Sequence, residues 1–167
     1  MRKRPLTGKE VKRGDMDVLE VQAGKGMIVK ELKKKVDLTE YCEQHSYYFD
    51  NCFDAYDDNY KIYRASVQPL IDWSFQGANT TCFAYGQTGS GKTFTMMGSE
   101  DGNNPGQYLL AAHDIIARLQ GFPELYLTVS FYEIYGQKMH DLLNERKELK
   151  CLEDGYGKIN ICGLNHT

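Results

Sequence analysis

At 167 residues the chain has one domain's worth of length, and a 41% hydrophobic content supplies enough material to bury a core. A formal net charge of −3 leaves no overall nucleic-acid footprint, and no apolar stretch is long enough to span a membrane. The opening MRKRPLTGKE lacks the apolar core of a signal peptide. Cys42, Cys52, Cys82, Cys151 and Cys162 are odd in number, far apart and free of CxxC spacing. They read as reduced, structural thiols of a cytosolic protein, and His45, His113, His140 and His166 show no zinc-ligand spacing.

Arg2-Lys3-Arg4-Pro5-Leu6 opens the chain. On composition it is a solvated basic end; on chemistry, a guanidinium and a flat proline ring suit a purine face, and the pentapeptide does not decide. Val18, Leu19 and Val21 predict one short strand and Met27 to Leu32 another, joined by a turn at Gln22-Ala23-Gly24-Lys25-Gly26. Lys33-Lys34-Lys35-Val36-Asp37-Leu38 follows as a basic tip, which is either ordinary solvated surface or a contact for an acidic partner. Aromatic, β-prone Ser46 to Phe53 is expected as an inner strand. Asp57, Asp58 and Asn59 can cap a helix from about Tyr60 to Phe75, ended by Gly77, with Tyr63, Val67, Leu70, Ile71 and Phe75 as its apolar stripe. Pro69 inside it should kink the helix or cost a hydrogen bond.

Thr80 to Met97 reads as a buried strand, a glycine-rich turn and the start of a short helix. Gly86-Gln87-Thr88-Gly89-Ser90-Gly91-Lys92-Thr93 fits GxxxxGK[ST] at every fixed position. Glycines let such a backbone curl around a phosphate without Cβ atoms in the way, and successive N–H groups and the helix dipole face the anion. Lys92 is then the mobile cation for the β- and γ-phosphates, and Thr93 the hydroxyl for Mg²⁺. A chance turn is disfavoured by the strand–loop–helix setting. Gly98 to Pro105 is a polar interruption, and Gln107 to Leu119 a second helix with apolar Leu109, Ala112, Ile115, Ile116 and Leu119. Leu125 to Tyr135 alternates as a strand, followed by the short apolar piece Met139 to Leu143 and short strands at Leu149 to Leu152 and Lys158 to Cys162. Alternating strands and helices predict an α/β layered domain with a nucleotide at the end of a central strand.

The extended stretch from Phe83 to Met96 resembles the kinesin motor signature. Arg2-Lys3-Arg4-Pro5-Leu6 resembles the family's purine clamp RxRP, Phe49-Asp50 with Phe53 its FDxVF strand, and Phe131-Tyr132-Glu133-Ile134-Tyr135 with Asp141-Leu142-Leu143 its FxEIYxxxxxDLL segment. Asn51 and Cys52 depart from the FDxVF pattern. Within the family, Lys35-Val36-Asp37 resembles the second-loop finger of the internal-motor kinesins (kinesin-13), which depolymerise microtubules from their ends. Cys82-Phe83-Ala84-Tyr85, Leu110-Ala111-Ala112-His113-Asp114 and Leu152-Glu153-Asp154-Gly155 point to the same subfamily.

The resemblance implies a P-loop NTPase of the kinesin-motor fold, with a central mixed sheet flanked by helices, of which residues 1–167 form the N-terminal half. It divides them into a purine clamp at 2–6, a hairpin finger at 27–41 and a phosphate loop at 86–93. It further implies ATP and Mg²⁺ as cofactors, held by Arg2, Arg4, Pro5, Gly86, Gln87, Thr88, Gly89, Ser90, Gly91, Lys92, Thr93 and Phe94, with Thr93 on the metal. Lys33, Lys34, Lys35, Val36 and Asp37 become the contact with acidic tubulin. The implied protein is a microtubule-stimulated ATPase of the cytoplasmic cytoskeleton, the spindle included. It would contact neither nucleic acid nor membrane, and any homodimer would form through regions outside this sequence.

Switch segments of the NxxSSRSH and DxxGxE types are absent, so no catalytic residue is assigned, and the segment by itself is expected neither to fold stably nor to turn over ATP. The strand before the phosphate loop is expected to lack partners. Alternatives are a kinesin that walks processively, a non-catalytic tubulin-binding protein that kept the fold, and an unrelated phosphate-loop enzyme.

Overall fold

The computed structural model describes residues 1–22 and 24–167, which divide into two units, Met1–Ala117 and Arg118–Thr167. In the first unit, Thr7 caps helix α1 (Gly8–Arg13): its hydroxyl accepts from the Glu10 amide, and the Glu10 carboxylate accepts from the Thr7 amide. This capping box satisfies two donors that a helix start otherwise leaves orphaned.

Strands β1 (Leu19–Gln22), β2 (Gly26–Lys34) and β3 (Glu40–Tyr48) form an antiparallel sheet in that order. The expected first hairpin is present; of its turn, Ala23 lies outside the described residues. The inner strand expected at Ser46 to Phe53 is not formed. β3 begins at Glu40 instead and ends at Tyr48, opposite Gly26, where its partner strand begins. Beyond that point Phe53 makes an isolated parallel bridge with Arg2. At the far end of β2 and β3 the chain turns through Val36, Asp37 and Leu38, with the Lys35 amide donating to the Thr39 carbonyl at 2.9 Å. Leu38 has φ 67°, the left-handed position that a three-residue hairpin loop normally gives to glycine. The hairpin bearing the basic tip thus runs over 26–48, longer than the 27–41 expected.

The long helix expected from Tyr60 to Phe75 is present but interrupted. It consists of α2 (Asn59–Ile62), a π-helical turn at Tyr63–Val67, and α3 (Gln68–Phe75) with Pro69 in its first turn. Pro69 has no N–H and its ring crowds the carbonyl four residues back, so the ladder widens ahead of it. Asp58 caps the start by accepting from the Lys61 amide at 2.8 Å. Tyr63, Val67 and Ile71 survive the interruption on one face and form the core with Leu110 of α5 (Gln107–Leu119), joined by Phe75, Ala111 and Ile115. The packed face of α5 is therefore Leu110, Ala111 and Ile115; Leu109 and Ile116 of the expected stripe are exposed.

The segment before the phosphate loop is not a strand: among the described residues nothing pairs with 80–85, and Phe83 is 78% exposed. An extended apolar segment becomes a strand only where a neighbour accepts its ladder, and this one finds none. The expected central mixed sheet is likewise not assembled by the described residues, whose strands lie in two antiparallel sheets, one per unit. After the loop, helix α4 (Lys92–Met97) is as short as expected. Gly98 ends it where the backbone of 104–106 crosses so closely that a Cβ would lie 2.3 Å from the Asn104 carbonyl.

In the second unit β4 (Tyr132–Tyr135), β5 (Lys138–Asp141), β6 (Lys147–Glu153) and β7 (Ile159–Cys162) form an antiparallel meander. The strand expected from Leu125 is confined to its last four residues. Before it, Val129 and Thr167 exchange reciprocal backbone hydrogen bonds. Fully buried Asp141 accepts from the Leu143 and Asn165 amides at 2.9 and 2.8 Å. All five cysteines are free, but Cys52 alone is buried, so the expectation of structural thiols holds for one position. No described helix is long and apolar enough to cross a membrane.

Candidate nucleotide site

The glycine-rich turn leads directly into α4. Gly86 has φ 156°, a conformation that side chains with a Cβ rarely adopt, and a Cβ there would also displace the Ser90 hydroxyl, so the curl favours glycine. Gly91, in the left-handed region, starts α4. The Lys92 ammonium donates to the Gly86 and Gln87 carbonyls at 2.8 and 2.9 Å, gathered over the turn by its own backbone. Thr93 is exposed, and its hydroxyl has no protein hydrogen bond among the described residues. A free hard oxygen donor next to the loop fits what Mg²⁺ takes. By contrast, the Thr95 hydroxyl is consumed by the Gly91 carbonyl and by Arg2.

The two arginines of the opening motif have different fates. Arg2 is half-buried: Nη1 donates to Asn59 Oδ1 at 2.7 Å and Thr95 Oγ1 at 2.8 Å, and its guanidinium lies 5.1 Å from the Phe94 ring centroid. Burial lowers its pKa against the opposing pull of Asp57 and Asp58. Its donors tie the N-terminal segment to α2 and α4. Arg4 instead forms a two-pronged pair with Glu10, Nη1 to Oε2 at 2.7 Å and Nη2 to Oε1 at 2.6 Å. That pairing and the capping bonds from Thr7 hold the Glu10 carboxyl far below the ordinary glutamate range.

A cavity of about 390 Å³ lies between these groups. Arg2, Arg4, Pro5, Ser90, Gly91 and Phe94, all anticipated from sequence, line it. Gly86 to Gly89, Lys92 and Thr93 form the adjoining loop and helix start without lining it. Sequence reasoning missed Tyr56, Asp57 and Asp58, which supply another part of the wall. Only Asp57 and Asp58 had been singled out, and as helix caps. It also missed Asn59, 1% exposed, which receives Arg2 and donates to the Phe94 and Pro105 carbonyls at 3.1 and 3.0 Å. Its one signal was an asparagine at a helix start, which reads as a cap.

The basic tip belongs to a different surface. Lys33 lies between Glu31 and Glu43, and Lys34 pairs with directly opposed Glu40 at 3.1 Å. Glu31, Glu43 and His45 are close enough to share a cation, but the Lys33 ammonium already serves both carboxylates. Lys35 stands 6.0 Å from the Tyr41 ring centroid, Val36 is fully exposed, and Asp37 accepts from the Thr39 amide at 3.0 Å.

The model of the kinesin motor domain matches residues 2–167. The human kinesin-like protein KIF24 is 46% identical over 98% of this chain, and its mouse counterpart is likewise 46% identical over 98%. The chain spans about 12% of the length of each of these relatives. A glycine-rich loop with a gathered lysine, an arginine–proline edge across a cavity from it, and a match over all but the first residue agree with one another: the chain belongs to the kinesin motor domain family.

Proposed function

We propose that the chain is the ATP-binding, N-terminal part of a microtubule-dependent kinesin motor, and that the whole protein depolymerises microtubules at the expense of ATP. The observation that carries the nucleotide reading is the cavity shared by Arg4 and Pro5 on one side and Ser90, Gly91 and Phe94 on the other, beside the loop that ends in Lys92. Pro5 and Phe94 offer flat apolar surface to a base, and the loop and Lys92 suit polyphosphate. Lys92 would exchange its carbonyl acceptors for phosphate oxygens, and the Thr93 hydroxyl would hold Mg²⁺. When bound, the metal would neutralise charge on the β- and γ-phosphates.

The depolymerase reading rests on the resemblance of Lys35-Val36-Asp37 to the kinesin-13 finger and on the placement of these residues at a hairpin tip, with Val36 fully exposed. Lys33 to Asp37 would face tubulin, in the cytoplasm and on microtubules. The test mixes the full-length protein with stabilised microtubules and sediments them with and without MgATP. ATP-dependent release of tubulin into the supernatant is expected. Intact polymer with the protein co-pelleting would favour a walking or non-catalytic kinesin.

A further inference from the structure

The two-pronged bond between Arg4 and Glu10 is more than a surface ion pair, because both partners are committed elsewhere. Arg4 lines the cavity, and its Nη1 also donates to the Pro5 carbonyl at 2.8 Å. Three of its five N–H donors are therefore spent on protein oxygens, which fixes the plane of the guanidinium and leaves its flat face, the Nε–H and one Nη2 N–H for a ligand. Glu10 is fixed in turn: its Oε2 accepts from the Thr7 amide at 2.7 Å and from the Thr7 hydroxyl at 2.9 Å. Glu10 lies in α1, and it does not itself line the cavity. A long arginine side chain at a protein surface samples many rotamers, whereas a fork held by a capped helix presents one orientation.

Building on the nucleotide reading above, we propose that Glu10 is a positioning residue for the nucleotide base, holding the Arg4 guanidinium so that its face stacks on the base across from Phe94 and Pro5. The carboxylate acts through Arg4 alone. Its low pKa keeps it charged throughout the physiological range.

The test is a double-mutant cycle in the full-length protein, reading equilibrium affinity for MgATP and, by competition, for inorganic tripolyphosphate. Glu10→Gln keeps a capping-box side chain but loses the charge-assisted fork. It should weaken MgATP about five- to tenfold, the scale of one net hydrogen bond, and leave tripolyphosphate unchanged. In an Arg4→Ala background it should do nothing further to MgATP affinity. Equal weakening of MgATP and tripolyphosphate, or a Glu10→Gln effect that persists without Arg4, would reduce Glu10 to a helix cap and overturn the proposal. So would unchanged MgATP affinity in the single variant. Lys92→Ala separates the two levels: if it and the unaltered protein both fail to bind MgATP, the nucleotide reading itself fails. If only the variant fails to bind, the reading stands and the cycle decides on Glu10.

Discussion

Replacing Asn59 by alanine should loosen the first unit where α2, α4 and the start of α5 meet. The size of the effect can be worked from its bonds. Oδ1 receives Arg2 at 2.7 Å, and Nδ2 donates to the Phe94 and Pro105 carbonyls at 3.1 and 3.0 Å. Not all of these losses count equally. The Phe94 carbonyl keeps its helical partner, the Gly98 amide at 3.0 Å, and Arg2 Nη1 keeps Thr95 at 2.8 Å. The weight falls on one bond from a charged donor and on the Pro105 carbonyl, for a total of about 3 kcal/mol. The Gln107 side chain donates to the Asn59 backbone carbonyl, which the substitution leaves in place. Hydrogen exchange of the full-length protein, read by mass spectrometry, should show amides of 92–98 and 107–110 opening about a hundredfold faster. Asn59→Asp, which keeps the acceptor for Arg2 and loses both donors, should fall between. Unchanged exchange in both segments of the alanine variant would refute the view that Asn59 joins them.

Lys92→Ala should lower MgATP affinity at least about a hundredfold in equilibrium dialysis, because the turn has no other mobile cation to offer phosphate; affinity within twofold of the unaltered protein would remove the phosphate role. Alanine at Lys35, Val36 and Asp37 together should abolish ATP-dependent tubulin release in the sedimentation assay, and normal release would leave the finger a solvated hairpin. The Glu10 carboxyl should titrate well below an ordinary glutamate in carbon-detected NMR, since Arg4 first and then Thr7 hold it ionised. A folded-state pKa below the unfolded one makes this contribution to folding complete above the ordinary glutamate pKa. It is lost only as pH falls through the lower folded value. A midpoint at the ordinary value would show that the fork does not persist in solution.

What could be read in the sequence was whatever is local. The phosphate loop is legible because its glycines, lysine and threonine lie within eight consecutive positions. Helix α5 was anticipated from Gln107 to Leu119 because its apolar period is uninterrupted. The break at Pro69 was likewise visible, although a π-helical turn is a finer statement than a kink. Non-local choices were not legible. Whether 80–85 is a strand depends on a neighbour, not on its own residues. The stripe on α5 was right at Ile115 and off at Leu109 and Ile116, since Leu109 and Leu110 are equally apolar and only contact with Tyr63, Val67 and Ile71 selects between them. Arg2 and Arg4 look alike in the opening motif, and their separation depends on Asn59 for one and Glu10 for the other.

The β2–β3 hairpin has a mechanical consequence. β1 flanks β2 only as far as Val29, so the register pairs from Glu31–Glu43 to Lys34–Glu40 extend about 14 Å as a bare two-stranded ribbon, with the three-residue loop beyond them. Such a ribbon is marginal without staples. Here Lys33 bridges Glu31 and Glu43, and Lys34 closes on Glu40 nearest the tip. These two lysines brace the ribbon as well as charging its tip, while Lys30 pairs with Glu20 of β1 at its root. Contact pairs of this kind are screened by salt less than a longer-range attraction is, so the ribbon keeps its shape at ionic strengths that weaken its pull on a charged surface.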